Sequence, residues 1–253
     1  MNFLLPATRN RVSRFITFLP VIVILIVSTR ALAQQRVSRQ FPAGKNVRLE
    51  LKNLSGTITV ESWARDEIRI TATMEPPVVH FNPRQTEGGL IIDIVSDNRD
   101  RGDVGDVNFK VQVPARSSLD LETRSGQITV SNVQGDLLRA HVSTSGDITL
   151  SGISVGRVFA SNTTGNIYFD GEFASGGTYE FKSGRGVITL RLPANCGFHL
   201  VATAPAKKIS MGQFWHEGMQ TTGEGRRVIG DVGDGRASVT VMTYQGNINF
   251  LRR

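Results

Sequence analysis

Along most of the chain, apolar and polar residues alternate one for one. Ile128 and Val130 flank Thr129, Ile148 and Leu150 flank Thr149, and Ile188 and Leu190 flank Thr189. A period of two sends successive side chains to opposite faces, so these segments read as strands with one face buried. The same alternation, or a run of β-branched residues, marks residues 46–53, 67–74, 89–96, 107–114, 118–124, 197–204 and 237–244. No window of helical period exceeds a turn or two. The best exception is residues 207–220, where Ile209, Met211, Phe214, Trp215 and Met219 are placed to cover an exposed end or side of a strand stack, or to form a binding loop.

The strands carry a repeated unit. N-L-S-G-T-I-T-V (53–60), T-R-S-G-Q-I-T-V (123–130), S-T-S-G-D-I-T-L (143–150), N-T-T-G-N-I-Y-F (162–169), G-V-I-T-L (186–190) and T-Y-Q-G-N-I-N-F (243–250) are versions of one phrase. Its glycines at 126, 146, 165 and 186 recur about every 20 residues, the mark of a stacked repeat. A second strand fills the rest of each unit, with Leu138, Ala140 and Val142, then Val158 and Ala160, then Tyr179 and Phe181. It is opened by a glycine at 135, 156 and 177, so each repeat is expected to hold two short strands and two glycine turns.

Two all-β architectures fit this pattern. In an antiparallel meander or sandwich, neighbouring strands pair through hairpins. In a β-solenoid, each strand pairs with its equivalent one coil away. Like residues at equivalent positions favour the solenoid, because coils stacked about 4.8 Å apart put them in columns where a side chain that fits one coil fits the next. The expectation is a single-domain β-solenoid of two-strand repeats spanning residues 34–253, most regular at 123–191 and flanked by less regular strands.

The first 33 residues differ from the rest. Arg9, Arg11 and Arg14 precede the uncharged run 15–27 and then Ala31-Leu32-Ala33, the order of a secretory signal peptide cleaved after Ala33. The apolar run is shorter than a membrane span, so any membrane contact would come through this segment left uncleaved. An exported chain is expected in the periplasm, the cell envelope or the medium. The four arginines of residues 1–33 reduce the net charge from +7 to +3 once removed, and the remaining 25 basic and 22 acidic residues are mixed. That balance shows no nucleic-acid footprint. Cys196 is the lone cysteine, which excludes an internal disulfide, and its apolar setting reads as a buried thiol.

The S/T-G-x-I-T-V units, the entry VQVPARSSLDLETRSGQITV, the pattern V-x-G-D-L (133–137) and the closing ASVTVMTYQGNINFL resemble a bacterial adhesin-like family of β-strand repeats of the DUF4097 kind. That group is related to the head domain with the Gly-Ile-Asn motif in autotransporter adhesins. The likeness covers roughly residues 45–251. It implies an exported, all-β, solenoid-like protein and carries over no catalytic residues. Nothing after Asn247 resembles a membrane barrel, a departure from a true autotransporter.

Candidate chemistry is sparse. His80, His141, His199 and His216 show no metal-ligand spacing, and nucleophile-elbow and Walker patterns are absent. No catalytic, metal or cofactor site is expected, and none of the cofactor-binding motifs is present. Asp97, Asp100, Asp103 and Asp106 could wrap a calcium ion, but Arg99 and Arg101 sit among them and a solvated loop is the simpler reading. The same loop holds Arg101-Gly102-Asp103, a tripeptide some receptors read. What remains is surface. The outward residues Thr129, Thr149, Tyr168 and Thr189 should form a hydroxyl-rich column suited to a glycan or a protein, although Thr also favours strands for its own sake. Trp215 and His216 form a second candidate. Three function classes follow: an adhesin or envelope scaffold, a regulatory protein-binding module, and a carbohydrate-active enzyme whose nearest acids would be Asp147 and Asp170.

Overall fold

A computed structural model describes residues 34–253; the segment 1–33, on which the expected signal peptide falls, lies outside the described residues. The strands in chain order are β1 (Gln35–Pro42), β2 (Arg48–Ser55), β3 (Ile58–Trp63), β4 (Glu67–Met74), β5 (Arg84–Thr86), β6 (Gly89–Asp93), β7 (Val107–Pro114), β8 (Ser118–Ser125), β9 (Ile128–Ser131) and β10 (Gln134–Ser145). They continue as β11 (Ile148–Thr164), β12 (Ile167–Gly171), β13 (Thr178–Arg185), β14 (Ile188–Leu192), β15 (Phe198–Thr203), β16 (Ile209–Ser210), β17 (Gln220–Thr222), β18 (Arg227–Val232), β19 (Ala237–Gln245) and β20 (Ile248–Arg252). One helical turn, α1 (Ile94–Asp97), follows β6, and a 3-10 turn at Gly212–Phe214 follows β16.

The strands wind as a β-solenoid with two faces. Face A runs β1, β4, β7, β3, β9, the first part of β11, β12, β14, β20, β16. Face B runs β5, β6, β2, β8, β10, the second part of β11, β13, β19, β15, β18, β17. Every pairing between coils is parallel, with register shifts confined to the corners at Val142/Ser145 of β10 and Ser151/Ile153 of β11. Antiparallel pairs occur only toward the two ends, at β1–β4–β7 and β5–β6 on one side and β15–β18–β17 on the other. The meander alternative is thereby replaced by the solenoid.

Register turns sequence repetition into columns. Ile58, Ile128, Ile148, Ile167, Ile188 and Ile248 stack on one another inside face A, all buried, and Val60, Val130, Leu150, Phe169, Leu190 and Phe250 form the next inward column. Each fully buried Ile or Leu contributes roughly 2 kcal/mol by leaving water. Toward the C-terminal end the columns become aromatic: Phe169 packs on Phe181 at 5.1 Å between ring centroids, Phe173 on Tyr179 at 4.2 Å, and Phe198 on Phe250 at 6.0 Å. Tyr179 keeps its hydroxyl satisfied inside this cluster, accepting from the Ala174 amide and donating to the Val155 carbonyl.

The corner from face B to face A is built on glycine. Gly56, Gly126, Gly146, Gly165, Gly186 and Gly246 stack so closely that a Cβ on Gly146 would sit 1.9 Å from the carbonyl oxygen of Gly126, and one on Gly186 would sit 1.8 Å from that of Gly165. Gly146, Gly165 and Gly186 also have φ of +153°, +139° and +157°. Buried polar side chains just before the corner bind its carbonyls: Asn162 donates to Gly146, Ser183 to Gly165 and Thr243 to Gly186.

The opposite corner departs from expectation. Gly135 and Gly156 lie within β10 and β11 as extended backbone, and the left-handed residues are Asn132 (φ +58°) and Gly152 (φ +64°). Asn takes this conformation because its short polar side chain tolerates it. Gly177 is placed in a turn, its amide donating to Ala174.

The coil order also differs from chain order. β2–β3 lies between β6–β7 and β8–β9, and β19–β20 lies between β13–β14 and β15–β16. At each end the chain lays down coils out of sequence, so the outermost coil is not the first or last in the chain. Gly146→Ala or Gly165→Ala should destabilise the fold by ~3 kcal/mol or more, because backbone must move to admit the methyl group. Thermal denaturation should show a Tm fall of about 6 °C or more for either variant. Gly44→Ala, where an added Cβ meets nothing, should stay within about 0.5 kcal/mol of the parent.

Candidate functional site

The outward residues of face A form one straight row. Thr129 pairs with Thr149, Thr149 with Tyr168, and Tyr168 with Thr189, so the four residues expected from the sequence are neighbours on successive coils. The register extends the row beyond them, to Thr59 and Lys110 at one end and to Asn249 and Ser210 at the other. Sequence reasoning missed these four because their coils are out of chain order. The rungs from Thr59 to Asn249 are half-buried, their backbones held in the ladder and their polar tips facing out. Parallel pairing repeats each hydroxyl at the strand spacing of about 4.8 Å, an array whose period is set by backbone hydrogen bonds.

The next outward row is charged at its ends. Gln112 donates to Glu61, which also pairs with Lys110 at 3.4 Å. Asp170 pairs with Arg191 and Arg253, each at 3.3 Å, and Arg253 donates to the Gly171 carbonyl and pairs with Glu172. The two acids nearest the row are therefore occupied: Asp170 by two guanidinium groups, and Asp147 as acceptor for the Asn166 amide at 2.7 Å. Asn166 sits at the Asp147 position of the next coil, four residues before Asp170, so the two acids are about 13 Å apart along the strands. Paired glycosidase carboxylates sit about 5 to 10 Å apart.

Trp215 and His216 belong elsewhere. Residues 207–220 form β16 and the 3-10 turn; Met211, Phe214 and Met219 are buried, with Phe214 edge-on to Phe198 at 6.1 Å. That half of the segment closes the C-terminal end of the core. Trp215 is 51% exposed and contributes little to the closure. His216 accepts from the Gly218 amide at Nδ1 and contacts the Asp231 carbonyl through Nε2. Asp231 lies in β18 on face B, so His216 is held on a different face from the Thr row. The Asp231 carboxylate in turn meets His199 Nδ1 at 2.5 Å, a contact no local motif announces.

The acidic loop folds without gathering its carboxylates. Asp93 caps α1 through the Ser96 amide, Asp97 pairs with Arg84 at 3.8 Å, and buried Asn98 bonds both backbone groups of His80. Among the described residues no three His, Cys, Asp or Glu side chains come together as a metal site. Arg101 of the Arg-Gly-Asp tripeptide donates to the Val78 carbonyl at 2.6 Å, which turns its guanidinium back onto the protein. Cys196 is buried, and burial pushes its thiol up to about 11.

Stacked parallel coils, an inward apolar column, an outward polar row and closed ends define a β-solenoid repeat protein. Residues 19–250 match the family model Toastrack DUF4097, and the chain belongs to that family. Among solved structures it is similar to a "putative cell adhesion protein" from Clostridium sporogenes ATCC 15579, with 13% identity, a TM-score of 0.53, and coverage of 87% of this chain and 100% of the other. A "putative adhesin" from Bacteroides fragilis NCTC 9343 has 9% identity and a TM-score of 0.32, covering 88% of this chain and 99% of its own. A "putative lipid binding protein" from Parabacteroides distasonis ATCC 8503 has 11% identity and a TM-score of 0.37, covering 85% and 96%. The likeness to the Clostridium sporogenes protein, at 13% identity, speaks to fold alone, and no curated protein matches the chain.

Phe214→Ala should cost about 3 kcal/mol by opening the core end, whereas Trp215→Ala should change stability by less than about 0.5 kcal/mol; chemical denaturation of both variants separates closure from display. Ellman's reagent should leave Cys196 unmodified at pH 8 in the native state and modify it fully after unfolding. Because the folded thiol holds its proton more tightly than the unfolded one, its contribution is complete below about pH 9 and should be lost as pH rises through about 11.

Proposed function

We propose that this chain is an exported, non-enzymatic β-repeat protein that presents face A as a rigid polar binding surface, acting as an adhesin or an envelope scaffold. The observation that carries the reading is the unbroken outward row through Thr59, Thr129, Thr149, Tyr168, Thr189 and Asn249, fixed in register by parallel pairing. A row of hydroxyls and one aromatic ring at a constant spacing suits a partner with its own repeat, such as a glycan chain or an extended protein segment. Rigidity helps, because no side-chain platform has to be ordered on binding. The engagement of Asp147 and Asp170 in the scaffold argues for binding over hydrolysis.

A sheet edge or terminal coil that docks an envelope protein is the second reading, supported by the outer edge of β1, which pairs with no strand among the described residues. The test begins in the native cell. External protease or antibody should reach the chain on intact cells, and a glycan and matrix array should then show binding that falls at least tenfold in Thr149→Ala/Tyr168→Ala/Thr189→Ala. Complete protection until the outer envelope is opened would end the adhesin reading and leave the internal scaffold or regulatory partner.

A further inference from the structure

In the regular coils the corner from face B to face A is two residues long, as at Gly126 and Gln127 between β8 and β9. In the β6–β7 coil the same corner is residues 94–106, an excursion in an otherwise uniform edge. It is anchored at several points: Asp93 caps α1, Asn98 bonds His80 and the Ile94 carbonyl, Arg101 donates to Val78, and the Gly105 amide donates to Pro77. The loop therefore overhangs the two coils beside it in a fixed shape. Between overhang and coil edge lies an open groove of about 550 Å³.

The groove has a defined chemistry. Its apolar floor includes Leu54, Val95 and Val104, with Val95 43% exposed. Arg99, Arg101 and Arg124 surround the floor, against one carboxylate, Asp103. Arg101 is partly committed to Val78. Among the described residues Arg99 and Arg124 make no ion pair, whereas Arg48 and Arg139 on face B both pair with Asp120. Two unmatched guanidinium groups beside exposed valine form a positive rim around an apolar patch.

We infer that this groove docks an acidic peptide segment of a partner protein, with carboxylates on Arg99 and Arg124 and an apolar side chain on Leu54, Val95 and Val104. Charge complementarity sets the sign of the partner. The patch is a few side chains wide and open to solvent, which suits one apolar residue and gives an acyl chain no shelter. The serine edges at Ser55 and Ser125 and the lone Asp103 match the mixed polarity of a peptide backbone. This site is separate from the hydroxyl row on face A and does not depend on that row's function.

The probe is a fluorescein-labelled peptide alternating Glu and Leu, followed by anisotropy against the purified full chain, with an alternating Lys and Leu peptide as comparator. Saturable binding of the acidic peptide is expected, with a Kd that rises at least tenfold in Arg99→Ser/Arg124→Ser and in Val95→Asp, and is unchanged in Arg226→Ser. Binding should weaken with salt, and Arg99→Glu/Arg124→Glu should take up the Lys and Leu peptide instead. Matching Tm values across the variants establish that folding is intact, and Val95→Asp keeps the test decisive if a double variant loses its fold. The inference is overturned if the parent shows no saturable binding, if Arg99→Ser/Arg124→Ser binds as the parent does, or if both peptides bind equally. Arginine-dependent capture by phosphatidylglycerol vesicles without peptide binding would overturn it in favour of a lipid headgroup.

Discussion

The distance of closest approach between stacked corner glycines governs the rest of this molecule. With a carbonyl oxygen roughly 2 Å from where each Cβ would be, the corner column admits no other residue, and positive φ at all its glycines but Gly246 turns the chain within two residues. That tight turn lets a strand on face B hand over directly to one on face A. Once the corner is set, coil height follows from backbone hydrogen bonding, such as the Gly146 amide to the Thr164 carbonyl and the Gly165 amide to the Arg185 carbonyl. Side chains then fall into columns, and the choice of Ile at one position and Thr at the next becomes a choice made once and repeated. The buried Asn162, Ser183 and Thr243 belong to the same device, because each satisfies a corner carbonyl that would otherwise face the core unpaired.

A stack of parallel coils is vulnerable at its ends, where an open strand and an open core invite association with other chains. Here each end is closed differently. The N-terminal side adds the antiparallel β4 and β1 to face A, with Ile68, Ile70, Ala72 and Met74 facing inward. The C-terminal side adds β18 and β17 to face B and uses Met211, Phe214 and Met219 as a plug. These additions carry the sequence irregularity of the flanks, and the region 123–191 is free of it because it has neighbours on both sides.

Much of this was legible from residue order. The columns through Ile128, Ile148, Ile167 and Ile188 followed from period and repetition, and so did the row of Thr129, Thr149, Tyr168 and Thr189. The plug role of Met211, Phe214 and Met219 followed from an apolar cluster in a segment with no strand pattern, although Trp215 within it turned outward. Composition misled at the second corner, where Gly135 and Gly156 drew attention and Asn132 did the turning. The coil order was harder. Alternation is local information, whereas stacking joins residues such as Ser55 and Ser125 that are far apart in the chain. A signal existed in the units at 53–60 and 243–250, which read like neighbours of the central repeats despite their distance and indeed stack on them. The groove had no such signal, since Arg99, Arg101 and Arg124 meet through one enlarged corner and the stacking of two other coils.

The interleaved coil order has a consequence for assembly. When β15 and β16 have formed, the place between them and β13–β14 still has to be taken by β19–β20, which come later in the chain. A polymer emerging N-terminus first cannot wind this end turn by turn. The closing strands have to enter between two coils made earlier, whereas at the other end β2–β3 gains β6–β7 on one side and β8–β9 on the other with nothing inserted. Such late, long-range pairings are slow steps. The finished object is correspondingly hard to unravel by pulling on its final strands, because those strands are gripped on both sides.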